Sequence, residues 1–110
     1  KQMDTPKRER LEKAGFKVGD FDEFLDLPPE EKEYIEMRIA LSRGIRELRR
    51  RKDLTQAQLA SLTGSSQSRI AKMESADASV SLDLQLKSLF ALGFTREDLC
   101  QLIMQDSTPA

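Results

Sequence analysis

The segment LTQAQLASLTGSSQSRIAKME, residues 54–74, decides how this chain is read. Thr55 can cap a helix over residues 56–63 and Ser66 a second over 67–74. Each offers a side-chain oxygen to the orphan N–H groups of a first helical turn. Gly64 permits a tight reversal between them. Leu59, Leu62, Ile70 and Met73 are the apolar positions of two short helices meeting at a steep angle, and Ala60 is small where they cross. With that inner face committed to packing, Gln67, Ser68, Arg69 and Lys72 are left pointing outward. Side chains of these types reach base edges and phosphates.

Upstream of this segment the pattern predicts a long helix over about 30–51. Pro29 fits a first turn, and Glu30, Glu31 and Glu33 complement the positive end of the helix dipole. Tyr34, Met37, Leu41, Gly44, Ile45 and Leu48 form one stripe at helical spacing. Arg49, Arg50, Arg51 and Lys52 close the helix and suit its negative end. They read either as a solvated helix end or as phosphate contacts. Ile35 and Ile39 lie nearly opposite Met37 and Leu41 at 100° per residue, so the front half of the helix is covered on two sides. Phe16, Phe24, Leu25 and Leu27 fold back onto the pair, another protein chain meets it, or both hold at once.

Downstream, Val80 and Ser81 precede a helix over 82–92 with Leu82, Leu86, Leu89 and Phe90 on one face. Gly93 ends it in the manner of a C′ glycine. Thr95-Arg96-Glu97-Asp98 reads as a capping box with Asp in place of Glu or Gln. It opens a last helix that buries Leu99, Leu102 and Ile103. No strand pattern of any length and no internal repeat is present, which predicts an all-α fold.

The 110 residues fit one domain with an appended arm. Before the long helix, residues 1–13 are polar and basic. Gly15 and Gly19 bracket a short extended piece, Asp20 or Asp22 can cap a brief helix, and Pro28-Pro29 ends it. The net charge of −1 does not by itself announce a polyanionic partner. Its distribution is more informative. Asp20, Asp22, Glu23, Asp26, Glu30, Glu31, Glu33 and Glu36 face one base, Lys32. Arg43, Arg46, Arg49, Arg50, Arg51, Lys52, Arg69 and Lys72 face only Glu47 and Asp53 as far as Lys72. An acidic front therefore precedes a basic middle, which can serve as a phosphate footprint.

Other classes lose ground on composition. There is no histidine, which removes the usual general base and the commonest metal ligand. Cys100 is the only cysteine, so no internal disulfide forms, as suits a reducing cytoplasm. No apolar run is long enough to span a membrane. The N-terminal residues lack the succession of a secretory signal, and the start at Lys1 rather than Met leaves room for an upstream stretch.

Residues 39–102 resemble the lambda-repressor and Cro-like helix-turn-helix family, also called XRE. The match rests on Leu54-Thr55-Gln56 with Leu59-Ala60, then Gly64, Ser66, Ile70 and Glu74, then Ser81-Leu82 and Leu92-Gly93. The resemblance implies five helices with the third in the major groove of DNA. It implies that Gln56 braces a phosphate, that Gln67 and Ser68 face bases helped by Lys72, and that Arg69 contacts base or phosphate. The loop 75–80 departs from the family, because Ala76 stands at the usual glycine and Val80 at the usual proline. Asp77 there would face phosphate unfavourably. Fewer phosphate contacts imply weaker non-specific binding and a shallower salt dependence.

The front half, with KAGFKVGDFDEFL over 13–25, Pro-Pro-Glu-Glu and then EMRIAL over 36–41, resembles antitoxins of the HigA type. That resemblance implies a ribosome-dependent mRNase toxin as partner and repression of a shared operon. The acidic stretch suits a basic toxin.

Together these readings give an all-α, five-helix lambda-repressor-like DNA-binding domain over 29–105, an N-terminal extension over 1–28 and a tail over 106–110. The DNA-contacting set is Gln56, Ser66, Gln67, Ser68, Arg69 and Lys72, and no catalytic, cofactor or metal residues are expected. The expected partners are double-stranded DNA with a near-palindromic site, a second copy and a basic toxin, in the cytoplasm and away from membranes. Phe94, Leu99, Leu102, Ile103 and Met104 are the candidates for a dimer contact. The rival readings are a stand-alone or prophage-type regulator and a protein-interaction module that binds no DNA.

Overall fold

The structure, a computed structural model, describes residues 25–106. The arm over 1–24 and the tail over 107–110 lie outside the described residues, and with them the brief capped helix expected after Asp20 or Asp22. Helix α1 spans Pro29–Arg51, α2 Gln56–Thr63, α3 Gln67–Glu74, α4 Leu82–Ala91 and α5 Arg96–Asp106. No strand occurs among the described residues.

Local chemistry sets each boundary. Pro29 opens α1 without a side-chain cap, as its missing N–H allows. Thr55 and Gln58 form a reciprocal capping box at α2: the Gln58 N–H donates to Thr55 Oγ1 at 3.0 Å and the Thr55 N–H to Gln58 Oε1 at 2.8 Å. Gly64 follows α2 at φ +68°, a left-handed conformation that glycine takes without strain. The Ser65 N–H then returns to Ala60 O at 2.8 Å and turns the chain toward α3. Ser66 and Ser81 cap α3 and α4 through their hydroxyls. Thr95 and Asp98 form the expected box before α5, at 2.9 and 3.1 Å.

The core is one cluster built by α1 to α4 and the loops beside α4, with α5 packed against it. Leu41, Ile45, Leu59, Ile70, Met73 and Leu89 are completely buried, with Val80 and Leu92 nearly so. Met37, Leu54, Leu82, Leu86, Phe94, Leu99, Leu102 and Ile103 pack around it, half-buried. The last helix is thus less buried than its pattern predicts. Tyr34, Leu62 and Phe90, each expected on an apolar face, are exposed, Leu62 at 57%. In α2 the buried positions are Leu59 and Ala60, and at 100° per residue Leu62 falls nearly opposite Ala60, off the face those two define.

Two long-range features lock α1 to its neighbours. A Cβ on Gly44 would lie 2.5 Å from Leu102 Cδ2, so Leu102 of α5 rests against the bare backbone of α1 and would have to shift for any side chain there. Further along, Gln85 of α4 is buried and fully used. Its amide nitrogen donates to Arg38 O at 3.0 Å and Ser42 Oγ at 2.8 Å, while its oxygen accepts from Arg38 Nε at 2.9 Å. Arg38 also donates to Val80 O. The clasp holds α4 and the loop before it on α1, which fixes where α3 stands. Ile39 is buried and Ile35 half-buried on the second face of α1, so that face is covered in its middle.

Candidate nucleic-acid interface

Helices α2 and α3 pack directly on each other, and α3 divides cleanly into two faces. Ile70, Met73 and Glu74 are buried, while Gln67, Ser68, Arg69, Ala71 and Lys72 are exposed. The division follows from eight residues at 100° per residue with apolar side chains at the fourth and seventh positions. Ser66 sits before the first turn, and its Oγ accepts from the Arg69 N–H at 3.2 Å. Ser66 Oγ and Ser68 Oγ lie 3.4 Å apart at the exposed end of the helix. Of the six residues expected to touch DNA, Ser66, Gln67, Ser68, Arg69 and Lys72 thus form one continuous exposed surface.

Gln56 is placed differently. It is half-buried, and its amide nitrogen donates to Glu74 Oε1 at 3.2 Å. Glu74 in turn takes Arg49 in a two-pronged ion pair, with Nε to Oε2 at 2.5 Å and Nη2 to Oε1 at 2.9 Å. The third guanidinium nitrogen, Nη1, donates to Leu54 O at 2.8 Å. One buried carboxylate therefore ties the end of α1, the turn after it and the start of α2 to the end of α3. The bonded carboxylate holds the Arg49 pKa above its ordinary value against the opposing effect of burial.

This ion pair corrects the reading of the basic run at the end of α1. Arg49 is neither a solvated helix end nor a phosphate contact, because it points inward. Arg51 turns to the other side and lines a groove of about 300 Å³ between α1 and α5 with Glu47, Phe94, Asp98 and Gln101. The Lys52 ammonium lies beside Gly93, 3.7 Å from where a Cβ would stand. The four consecutive bases do not form one patch. Nothing in the local pattern reveals this, since Arg49 and Glu74 are 25 residues apart.

The loop after α3 is tight. Ala76 takes φ +61°, a left-handed conformation that glycine normally supplies at such a helix end. Its N–H donates to Met73 O at 3.1 Å and the Asp77 N–H to Lys72 O at 3.0 Å. Asp77 Oδ1 accepts from the Ser79 N–H at 2.8 Å and from Ser79 Oγ at 2.7 Å. These bonds, with a smaller contribution from the charge of Lys72, lower the Asp77 pKa below the ordinary aspartate value. The carboxylate is therefore a held anion in the loop just past α3.

Two short helices around a tight turn, the second with a polar outer face, define a helix-turn-helix DNA-binding protein within a lambda-repressor-like all-α fold. The sequence model of a family described as a helix-turn-helix domain matches residues 40–102, more than half of the chain, and the chain belongs to that family. No curated protein and no solved structure matches it significantly. Among the described residues no helix is long and apolar enough to cross a membrane, and no group of three or more acidic or cysteine side chains is placed to hold a metal.

Proposed function

We propose that the chain is a sequence-specific transcriptional repressor of the lambda-repressor and Cro-like type that lays α3 in the major groove of DNA. The observation that carries this reading is the exposed set Gln67, Ser68, Arg69 and Lys72 opposite the buried Ile70, Met73 and Glu74. A base-reading helix needs such an arrangement: its register fixed by packing, its donors and acceptors free. Gln67 and Ser68 face bases, and Arg69 and Lys72 contact base or phosphate. Ser66 adds its hydroxyl at the end of the same surface, though its Oγ is engaged as a cap. Gln56 braces a phosphate from the start of α2 with the amide proton that Glu74 does not take.

A single eight-residue helix with two cations is a weak hold on DNA. The repressor therefore acts as a homodimer on a near-palindromic site, its reading helices about 34 Å apart, one turn of the duplex. The exposed Met104 and the half-buried Ile103 of α5 are the residues from which that contact is built. The acidic stretch over 20–36 and its likeness to HigA-type antitoxins support a second role. In it the N-terminal extension over 1–28 holds a basic toxin, and the pair represses its own operon.

Footprinting on the chain's own promoter tests the reading. Two protected major-groove segments one turn apart are expected, together with a dimer in sedimentation at micromolar concentration. Co-purification with the product of the adjacent reading frame tests the antitoxin role. A small basic protein retained on the column supports it, and no retained partner from a co-expressed pair contradicts it.

A further inference from the structure

We infer that Glu74 is a positioning residue for DNA binding: its carboxylate fixes the direction of the Gln56 side-chain amide, so that the NH2 group rather than the carbonyl meets a backbone phosphate. The inference rests on the proposed contact of Gln56 with DNA and deepens it. Glu74 itself is buried and acts only through Gln56.

A glutamine amide has a donor end and an acceptor end of nearly equal size, and on a free surface it turns either way. A phosphate oxygen accepts hydrogen bonds and donates none. Gln56 therefore serves DNA only with its NH2 group presented. In this chain the choice is made before DNA arrives, because Gln56 Nε2 donates to Glu74 Oε1 at 3.2 Å. An ionised carboxylate only accepts, so the carbonyl end of Gln56 cannot take that place. One amide proton is spent on Glu74, and the second diverges from it. Gln56 is half-buried at the start of α2, so this second proton is within reach of the surface. The same first turn holds the Gln56 and Ala57 backbone N–H groups, which have no intrahelical acceptor, at the positive end of the helix dipole.

Arg49 makes the carboxylate usable for this purpose. A lone anion so close to the start of α2 would repel a phosphate. The guanidinium takes both Glu74 oxygens, at 2.5 and 2.9 Å, and its Nη1 donates to Leu54 O at 2.8 Å. The pair is thus an acceptor of no net charge, anchored at the junction of α1, α2 and α3. Gln56 reaches DNA with its rotamer already selected. Freezing a free side chain on binding costs about two- to tenfold in affinity, and here folding has already met that cost.

The test uses the full chain and the fluorescein-labelled promoter duplex, titrated by anisotropy at several salt concentrations. Gln56→Ala in the parent is expected to weaken binding about tenfold, the worth of a hydrogen bond to a charged group. R49M/E74L removes the orienting acceptor and keeps the net charge. It is expected to weaken binding about fivefold with an unchanged salt slope, since no cation facing DNA is lost. In that background Gln56→Ala is expected to cost only about twofold more. A full tenfold cost of Gln56→Ala in R49M/E74L overturns the inference, as does no cost in the parent. A shallower salt slope in R49M/E74L also overturns it, because the pair then acts by holding Arg69 and Lys72 in place. A second measurement needs only the folded parent. In isotope-labelled protein the two Gln56 Hε2 signals are assigned against the spectrum of Q56A. On adding duplex, the proton bonded to Glu74 is expected to keep its shift and the other to move downfield. Two protons that move together, or that both stay, overturn the inference. Failure of the parent chain to bind the duplex overturns the DNA reading instead.

Discussion

Arg49 and Glu74 form a buried two-pronged ion pair that joins the last turn of α1 to the last turn of α3, with oxygen–nitrogen distances of 2.5 and 2.9 Å. The Glu74 carboxylate also takes the amide of Gln56, and Arg49 also holds Leu54 O. Helix α3 is thus held in place by charge as well as by Ile70 and Met73. Removing either partner leaves the other charged and buried. Arg49→Met alone and Glu74→Gln alone are each expected to cost about 3 kcal/mol in urea unfolding. The double variant R49M/E74L is expected to recover much of that loss, because an apolar pair carries no stranded charge. A loss in the double variant equal to the sum of the singles contradicts this account.

Ala76 carries a left-handed φ of +61° where glycine is favoured. The strain for a residue with a Cβ is about 1–2 kcal/mol, offset in part by the greater entropy of glycine in the unfolded chain. Ala76→Gly is therefore expected to raise stability by about 0.5–1 kcal/mol, and Ala76→Val to lower it, both read as shifts in thermal midpoint. The measurement requires no DNA and reports on the loop alone.

The Gln85 side chain satisfies Arg38 O, Ser42 Oγ and Arg38 Nε at once. Gln85→Leu keeps most of the volume and abandons all three groups. The expected destabilisation is about 2 kcal/mol, the cost of polar groups buried without partners. Ser42→Ala removes one acceptor and leaves two bonds intact, so its cost is expected to be smaller. Equal losses in the two variants would mean that the clasp is not anchored on Gln85.

What the sequence makes legible follows from range. Thr55, Ser66, Ser81 and Thr95 act on N–H groups three residues away, so their caps are readable from spacing alone, and the helix bounds come out within a residue or two. The exposed face of α3 is readable for the same reason, since eight residues with two apolar anchors allow one orientation. The Arg49–Glu74 pair and the Gln85 clasp join residues 25 and 43–47 apart, and no periodicity encodes them. The basic run over 49–52 looks like one patch in the sequence, yet 100° steps send Arg49 inward and Arg51 to the groove beside α5. Phe94, Leu99, Leu102 and Ile103, read as a dimer surface, are partly committed to this chain's own core. Gly44 belongs to the apolar stripe of α1, but the side chain that rests on it is Leu102, far along the chain in α5.

The most direct test of the central claim is a fluorescence-anisotropy titration of the promoter duplex with the parent chain and with Arg69→Ala/Lys72→Ala. Both side chains are exposed, so the double variant is expected to fold with unchanged stability. If α3 reads DNA, the parent prefers the promoter to random duplex by about 1,000-fold or more. The variant then loses at least about tenfold in affinity, and its salt slope becomes shallower by about two. Promoter binding that is unchanged in the variant and insensitive to salt, or absent from the parent, would contradict the account.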